Sequence, residues 1–103
     1  MLLVIFYMKP IKLNLNFPKE LKTIFGIISS AGGECRLVGG CVRDYLINKT
    51  PVDFDIATNL IPETIIEIFK KNNVKVFPIG IEHGTVLVVI NKFNFEITTL
   101  RKD

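Results

Sequence analysis

The first amphipathic helix is predicted by apolar residues that recur at intervals of three and four positions after Pro18. The glycine pair at positions 32 and 33 ends it, because glycine favours the residue just beyond a helix. The predicted buried face consists of Leu21, Ile24, Phe25 and Ile28.

A second helix is predicted to begin with Pro62 in its first turn and to end at Asn72–Asn73. Thr58 or Asn59 is the expected N-cap. The buried face is predicted to contain Ile65, Ile66, Ile68 and Phe69. Between the two helices, CVRDYLI has room for about two helical turns behind Gly39 and Gly40, before Pro51 disfavours helix.

Five strands are predicted from short apolar or alternating segments: ECRLV, VDFDIAT, VKVFPI, TVLVVI and FEITTL. GIEHG and NKFN are expected to connect the last three. In VDFDIAT, alternation places Val52, Phe54 and Ile56 on one face of the strand and Asp53 and Asp55 on the other. The order of elements, α-β-α-β-α-β-β-β, predicts an α+β fold in which helices pack mainly on one face of a mixed five-stranded sheet.

Length and composition are those of a single folded domain over residues 1–103, with 49% apolar and 22% charged residues. The net charge of +3 suits a polyanion such as a nucleotide or RNA, and suits an ordinary mildly basic surface equally well. Cys35 and Cys41 occur without a secretion signal, which predicts reduced thiols in a cytoplasmic protein. With one histidine, His83, the chain lacks the usual four ligands of a structural zinc site.

Residues 1–10 form an apolar N-terminal extension whose first eight residues are MLLVIFYM. A membrane-spanning helix needs about 20 apolar residues, so no membrane association is expected. The segment also lacks the basic region and cleavage site of a signal peptide. It is either an edge strand or a stretch of extra residues upstream of a start at Met8, and we favour the second interpretation.

Asp53 and Asp55 are the first candidate functional residues. On one strand face they lie roughly 7 Å apart, twice the rise per residue. Two carboxylates this close repel each other unless a cation lies between them. Magnesium is commonly held by one or two carboxylates together with substrate phosphates. A bare D-x-D is more often a solvated face of an amphipathic strand, so this pattern alone does not establish a metal site.

The glycine pair Gly39–Gly40 strengthens the case, because a strand entering glycines and then a helix exposes backbone N–H groups to an anion. Arg43 follows one turn later and can reach phosphate oxygens with its forked donors. The alternative is a tight turn with a surface arginine. The spacing matches neither the P-loop nor the dinucleotide-binding motif. The glycines, the arginine and the paired acids nevertheless occur within 17 residues, and together they are more specific than any one of them.

The segment RLVGGCVRDYLINKTPVDFDIAT resembles the first motif of the class II tRNA nucleotidyltransferases and the related bacterial poly(A) polymerases. These enzymes belong to the polymerase-beta nucleotidyltransferase superfamily. FPIGIEHGTVLVVI and FEITTLRKD are similar to later segments of the same head domain, so the resemblance covers about residues 20–103.

The resemblance implies a polymerase-beta-like head in which Asp53 and Asp55 bind two magnesium ions, or manganese in their place. Gly39, Gly40 and Arg43 would bind the incoming ATP or CTP. An RNA 3′-hydroxyl would then attack the α-phosphate in line and release pyrophosphate.

The other candidates depend on the resemblance. Glu96 is the candidate third catalytic carboxylate, and the alternative is an exposed strand glutamate. His83 is expected to shape a turn rather than to transfer protons, and Asp44 to cap the helix or pair with Arg43. Arg101 and Lys102 are candidate contacts to the RNA backbone, although terminal cations are usually just solvated.

The family continues with an R-R-D-F-T motif, a base-selecting neck and helical segments that hold tRNA, none of which occurs in these 103 residues. We therefore predict a truncated catalytic head of an enzyme that adds AMP or CMP to tRNA or poly(A) ends, inactive alone, with a separate chain as a possible carrier of neck and body. The sequence does not distinguish A addition from CCA addition.

Two alternatives remain. One is a minimal nucleotidyltransferase acting on a protein or small molecule, although such enzymes more usually carry a glycine-serine pair. The other is a non-catalytic nucleotide-binding or interaction domain.

Overall fold

The computed structural model describes residues 17–40, 43 and 51–100. Two helices and five strands are described in full, Gly40 and Arg43 are also helical, and a 3-10 turn, Ile81–His83, precedes the fourth strand. In chain order the elements are α1 (Lys19–Ser30), β1 (Cys35–Val38), β2 (Asp53–Thr58), α2 (Pro62–Lys71), β3 (Lys75–Phe77), β4 (Thr85–Ile90) and β5 (Phe93–Thr99).

The strands form one sheet in the order β1-β2-β5-β4-β3. The central pair, β2 and β5, is parallel, whereas the other three pairs are antiparallel. A parallel pair needs a long crossover, and here α2 and the β3–β4 hairpin lie between the two strands in the sequence. The predicted α+β fold with a mixed five-stranded sheet is confirmed.

One face of the sheet, which we call the inner face, is covered by both helices. Its side chains and the apolar stripes of α1 and α2 form a single buried cluster. The fully buried members include Ile24 and Ile28 of α1, Ile65 and Phe69 of α2, and Phe54, Ile56, Val86, Val88, Phe95 and Ile97 of the sheet. The opposite, outer face carries the alternate residues of the same strands and is not covered by either helix.

Three phenylalanines anchor the centre of the inner face. The Phe54 ring of β2 stacks on the Phe95 ring of β5, with centroids 5.2 Å apart and an interplanar angle of 14°. Phe93 packs against both at centroid distances of 6.0 and 6.5 Å. Because Phe54 and Phe95 are also register partners, this contact joins the two parallel strands directly.

Both helices end in the same hydrogen-bonded turn. After α1, the Gly33 N–H donates to Ile28 O, and Gly32 adopts a φ of +84°. After α2, the Val74 N–H donates to Phe69 O, and Asn73 adopts a φ of +60°. Glycine and asparagine are the residues that tolerate this left-handed position, so both predicted helix stops are confirmed.

The predicted cap of α2 is wrong. Its N-cap residue is Ile61, which makes no side-chain cap. Thr58 Oγ1 instead donates to Glu34 O at 2.7 Å, and Asn59 Oδ1 accepts the Glu34 N–H at 2.8 Å. These side chains fasten the end of β2 to the start of β1, which a local helix signal does not reveal.

The strand boundaries also differ from the prediction. β5 begins at Phe93, inside NKFN, rather than at Phe95 after it, because Phe93 is buried in the core and pairs with Ile90. The connection is therefore only Asn91–Lys92. β2 begins after Val52, which is 44% exposed rather than on the buried face, and β3 ends at Phe77, before Pro78. Ile66 and Ile68 of α2 are only partly buried.

The N-terminal extension 1–10 lies outside the described residues. Within the described part of the chain, neither helix has the length and apolar character needed to cross a membrane.

A hydrogen bond between Asn91 and Glu20 connects the β4–β5 turn to α1. Asn91 Nδ2 donates to Glu20 Oε2 at 2.5 Å, and this bond holds the pKa of Glu20 below its ordinary value of 4.5. A lowered carboxyl pKa stabilises the fold fully above the unfolded value, and the contribution is lost as the pH falls through the folded value. The stability difference between wild type and Glu20→Gln should therefore be constant above about pH 5 and shrink in acid. Urea unfolding across this range measures it.

Asn91→Gly provides the matched background, because glycine accepts the left-handed conformation of Asn91 (φ +55°) while removing the donor. In that background the pH dependence assigned to Glu20 should largely disappear. An unchanged pH dependence would contradict the assigned bond.

Candidate active site

Three carboxylates lie on the outer face of the two central strands. Asp53 and Asp55 alternate with the buried Phe54 and Ile56 on β2, and both are exposed. Glu96 of β5 is likewise exposed and is the direct register partner of Asp55. The structure thus brings the three predicted acidic residues onto adjacent strands, although Asp55 and Glu96 are 41 positions apart in the sequence.

Asn94 belongs to the same group and was not singled out by the sequence analysis. It is the register partner of Asp53, and its Nδ2 donates to Asp53 Oδ1 at 2.9 Å. This bond restricts the orientation of one carboxylate and leaves the second oxygen for another partner. Alternation with Phe93 and Phe95 would have placed Asn94 on the same face as Glu96, but only the register of β2 against β5 brings it to Asp53.

The glycine pair lies against the acids. Gly39 follows β1, whose last residue, Val38, pairs with Asp55. Gly39 has a φ of +80°, and a Cβ at this position would lie only 2.8 Å from Asp55 Oδ2. The backbone therefore approaches a carboxylate here, a constraint that the anion-binding interpretation of the sequence did not include. A side chain at residue 39 would displace that carboxylate.

Arg43 is helical, as the sequence predicts, and Gly40 is already helical; both residues are exposed. Arg43 Nη2 is 3.5 Å from the position that a Cβ on Gly40 would occupy, so the guanidinium folds back over the glycine. The arginine and the glycine pair thus lie at the end of β1, next to the strand that carries Asp53 and Asp55. An anion here would meet a forked donor and the backbone of a helix start.

The donor set fits a magnesium–nucleotide complex better than a metal ion held by protein alone. Among the described residues, no group of three or more acidic, histidine or cysteine side chains is close enough to form a metal cage. Magnesium does not require such a cage, because one or two carboxylates plus substrate phosphates commonly suffice. Asp53 and Asp55 could supply the carboxylates, and the adjacent glycine pair and Arg43 could bind the phosphates.

The remaining candidates are not brought to the site or are not described. The His83 side chain is 79% exposed, with Nε2 3.9 Å from Glu82 Oε2, and its turn is built from the backbone bond of His83 N–H to Gly80 O. Cys35 is a free thiol whose pKa is raised to about 11 by burial, so it is protonated at neutral pH. Four other residues named in the sequence analysis lie outside the described part of the chain: Cys41, Asp44, Arg101 and Lys102.

The five-stranded mixed sheet with helices on one face is the fold of a nucleotidyltransferase head domain. The model of the Poly A polymerase head domain matches residues 35–103, more than half of the chain, and the chain belongs to this family.

Similar proteins include CCA-adding enzymes of several bacteria. The chain is 45% identical to the enzyme of Enterococcus faecalis over 85 residues, which are 82% of this chain and 20% of that protein. It is 46% identical over 80 residues to the enzyme of Oceanobacillus iheyensis, covering 78% and 19% of the two chains. The chain therefore spans about a fifth of the length of these relatives.

Solved structures show the same fold. The Bacillus stearothermophilus CCA-adding enzyme in complex with CTP is similar, with a TM-score of 0.68 and 36% identity over 80% of this chain and 20% of that one. A tRNA nucleotidyltransferase complexed with a primer tRNA and an incoming ATP analog gives a TM-score of 0.63 at 30% identity, covering 76% of this chain and 23% of that one.

Gly39→Ala should disturb the site directly. The left-handed backbone costs about 1–2 kcal/mol with a Cβ, and the Asp55 carboxylate must move away from the new methyl group. We expect a lower free energy of unfolding by about that amount, measured in urea, together with a changed carboxyl resonance of Asp55.

Gly26→Ala is the matched control. Gly26 lies within α1, and a Cβ there meets nothing within 4 Å. This substitution should stabilise the fold by up to about 1 kcal/mol and leave Asp55 unchanged. Equal changes in the free energy of unfolding and in the Asp55 carboxyl resonance in Gly39→Ala and Gly26→Ala would contradict the close approach at Gly39.

Proposed function

We propose that this chain is the catalytic head of an RNA 3′-end nucleotidyltransferase that acts in the cytoplasm. The reaction is transfer of AMP or CMP from ATP or CTP to the 3′ end of tRNA or poly(A). The juxtaposition of Asp53, Asp55 and Glu96 on the outer face carries the proposal. It is supported by the family of the chain and by the similarity to CCA-adding enzymes.

In this proposal Asp53 and Asp55 would hold the divalent cations, two magnesium or manganese ions, together with the triphosphate. The bound metal would neutralise phosphate charge and polarise the α-phosphate. The backbone of Gly39 and Gly40 and the guanidinium of Arg43 bind the triphosphate. Asn94 holds Asp53 in one orientation through the 2.9 Å bond.

The transfer forms a bond between the RNA 3′-oxygen and the α-phosphorus and breaks the bond to the β-phosphate, with pyrophosphate as the leaving group. The proton of the attacking hydroxyl needs an acceptor. Glu96 is the third carboxylate of the group and lies beside Asp55, so we assign it this role.

Removing either carboxylate should strongly weaken binding of the metal–nucleotide complex while preserving the fold. Asp53→Asn and Asp55→Asn each lose a carboxylate ligand, so calorimetric titration with magnesium- or manganese-loaded ATP should show at least tenfold weaker binding. The free energy of unfolding without metal should change by less than about 1 kcal/mol, because the lost charge is exposed.

Glu67→Gln is the control, since Glu67 is an exposed acid on α2, away from the outer face. It should bind metal–ATP as wild type does. If the two aspartate variants also retain wild-type affinity, the metal assignment is wrong.

The 103-residue polypeptide tested alone should not extend RNA efficiently. Transfer requires the acceptor end in near-attack geometry, and positioning supplies about 7–11 kcal/mol of such barriers. The relatives named as CCA-adding enzymes are about four times as long as this chain, because 85 matched residues are 20% of the Enterococcus faecalis enzyme, and we assign the positioning of the tRNA body to the segments that this chain does not share with them.

Purified protein would be incubated with labelled ATP or CTP, magnesium, and either tRNA lacking its CCA end or an oligo(A) primer. We expect no extension, or traces without base preference, under conditions in which a full-length CCA-adding enzyme completes the reaction. Efficient, base-selective extension would identify a complete minimal enzyme instead.

A further inference from the structure

We propose that Phe77 and Lys75, on the outer face of the edge strand β3, form a binding surface for the single-stranded 3′ end of the acceptor RNA. A base near that end would stack on the Phe77 ring, and Lys75 would pair with a backbone phosphate. The inference rests on the proposed function and adds the acceptor side of the same site.

The register of the sheet places both residues in line with the acids. Across the outer face, Asp55 pairs with Glu96, Glu96 with Leu87, and Leu87 with Phe77. A second row runs in parallel through Asp53, Asn94, Val89 and Lys75. At about 4.8 Å between strands, Phe77 lies roughly 10 Å from Glu96 and roughly 14 Å from Asp55. These separations are within reach of the last nucleotides of a chain whose 3′-hydroxyl is at the acids.

The direction of attack favours the half of the outer face that is formed by β5, β4 and β3. In phosphoryl transfer the attacking and leaving oxygens lie roughly in line, on opposite sides of the phosphorus. The Gly39–Gly40 turn and Arg43 stand at the β1 side of Asp55, so the leaving pyrophosphate lies on that side. The RNA hydroxyl must therefore arrive from the opposite side, over β5, β4 and β3.

The side chains on that half suit a nucleic-acid strand. Phe77 is 42% exposed, and Leu87 beside it is half-buried, so a flat apolar surface is open to a base. Stacking on an exposed aromatic ring is the usual way in which proteins hold single-stranded bases. At the edge of the sheet, a hollow of about 430 Å³ is lined by Lys75 and Phe77 and also by Lys70, Val74 and Val76 on the inner-face side. The edge therefore adds positive charge next to the aromatic ring.

Protection of an edge strand explains only part of this arrangement. A short strand bearing lysine resists pairing with other chains, which accounts for the three-residue length of β3 and for Lys75. An exposed phenylalanine on the same strand works against that protection. Stacking of an RNA base on the Phe77 ring would explain why a phenylalanine is exposed on this edge strand.

The test uses fluorescence anisotropy of a labelled 12-nucleotide single-stranded oligo(A) RNA, with calorimetric titration of magnesium–ATP on the same proteins. Phe77→Ala should weaken RNA binding about tenfold, the scale of one lost stacking contact, whereas Phe77→Tyr should stay within about twofold because it keeps the ring. Lys75→Gln should weaken RNA binding. It should also reduce the slope of log affinity against log salt concentration by the amount expected for about one phosphate contact. Magnesium–ATP affinity should be unchanged in all three variants.

Ile61→Ala is the matched control, because Ile61 is 55% exposed but precedes α2 and lies outside the outer face. It should bind RNA as wild type does. RNA affinity that is equal in wild type, Phe77→Ala and Phe77→Tyr would overturn the inference, as would undetectable RNA binding by a wild-type protein that binds magnesium–ATP. Loss of self-association in Phe77→Ala without a change in RNA affinity would also overturn it, and would make β3 a contact between chains.

Different results would refute the metal–nucleotide site and the RNA-binding surface on β3. Loss of magnesium–ATP binding in the wild type would refute the metal–nucleotide site, whereas an RNA affinity that depends on the Phe77 ring would still support the β3 surface. If Phe77→Ala does not fold, the other two variants still decide the question. The inference requires Phe77→Tyr to bind RNA about as tightly as wild type and Lys75→Gln to bind RNA more weakly than wild type.

Discussion

The parallel pairing of β2 with β5 is the interaction on which the site depends. On the inner face it stacks Phe54 on Phe95 at 5.2 Å, and on the outer face it sets Asp55 beside Glu96. Side chains alternate along a strand, so a slip of one residue in β2 would bury its acids and expose its phenylalanine. The hydrophobic core therefore fixes the register of the acidic residues, and core stability and site geometry cannot vary independently.

The division of the sheet into two faces reconciles a stable core with a cluster of like charges. Buried carboxylates would carry a large desolvation cost, whereas on an uncovered face water screens their repulsion. Both α1 and α2 pack on the inner face, and Asp53, Asp55 and Glu96 on the outer face are exposed. The negative charge that makes this face unsuitable for packing is the charge that a bound divalent cation would neutralise.

Local patterns predicted most of the fold but little of the arrangement across the sheet. Helical spacing located α1 and α2, and alternation located β2 with its two acids on one face. The bonds of Thr58 and Asn59 to Glu34, and of Asn94 to Asp53, join residues 24 to 41 positions apart, so no local signal contains them. The sequence predicts that Gly39 belongs to an anion-binding turn, but the close approach of Gly39 to Asp55 depends on the pairing of β1 with β2.

The two aspartates are restrained by the two strands that flank β2 on opposite sides. Asn94 of β5 donates to Asp53, and the Gly39 turn after β1 closes against Asp55. Each carboxylate is thus limited by backbone or amide groups of a strand that flanks β2, and not only by its own rotamer preference. Such limits lower the entropy lost when a ligand binds, because fewer side-chain conformations have to be given up. They also explain why the site is built at the centre of the sheet: only a strand paired on both sides can have its two acids fixed from both directions.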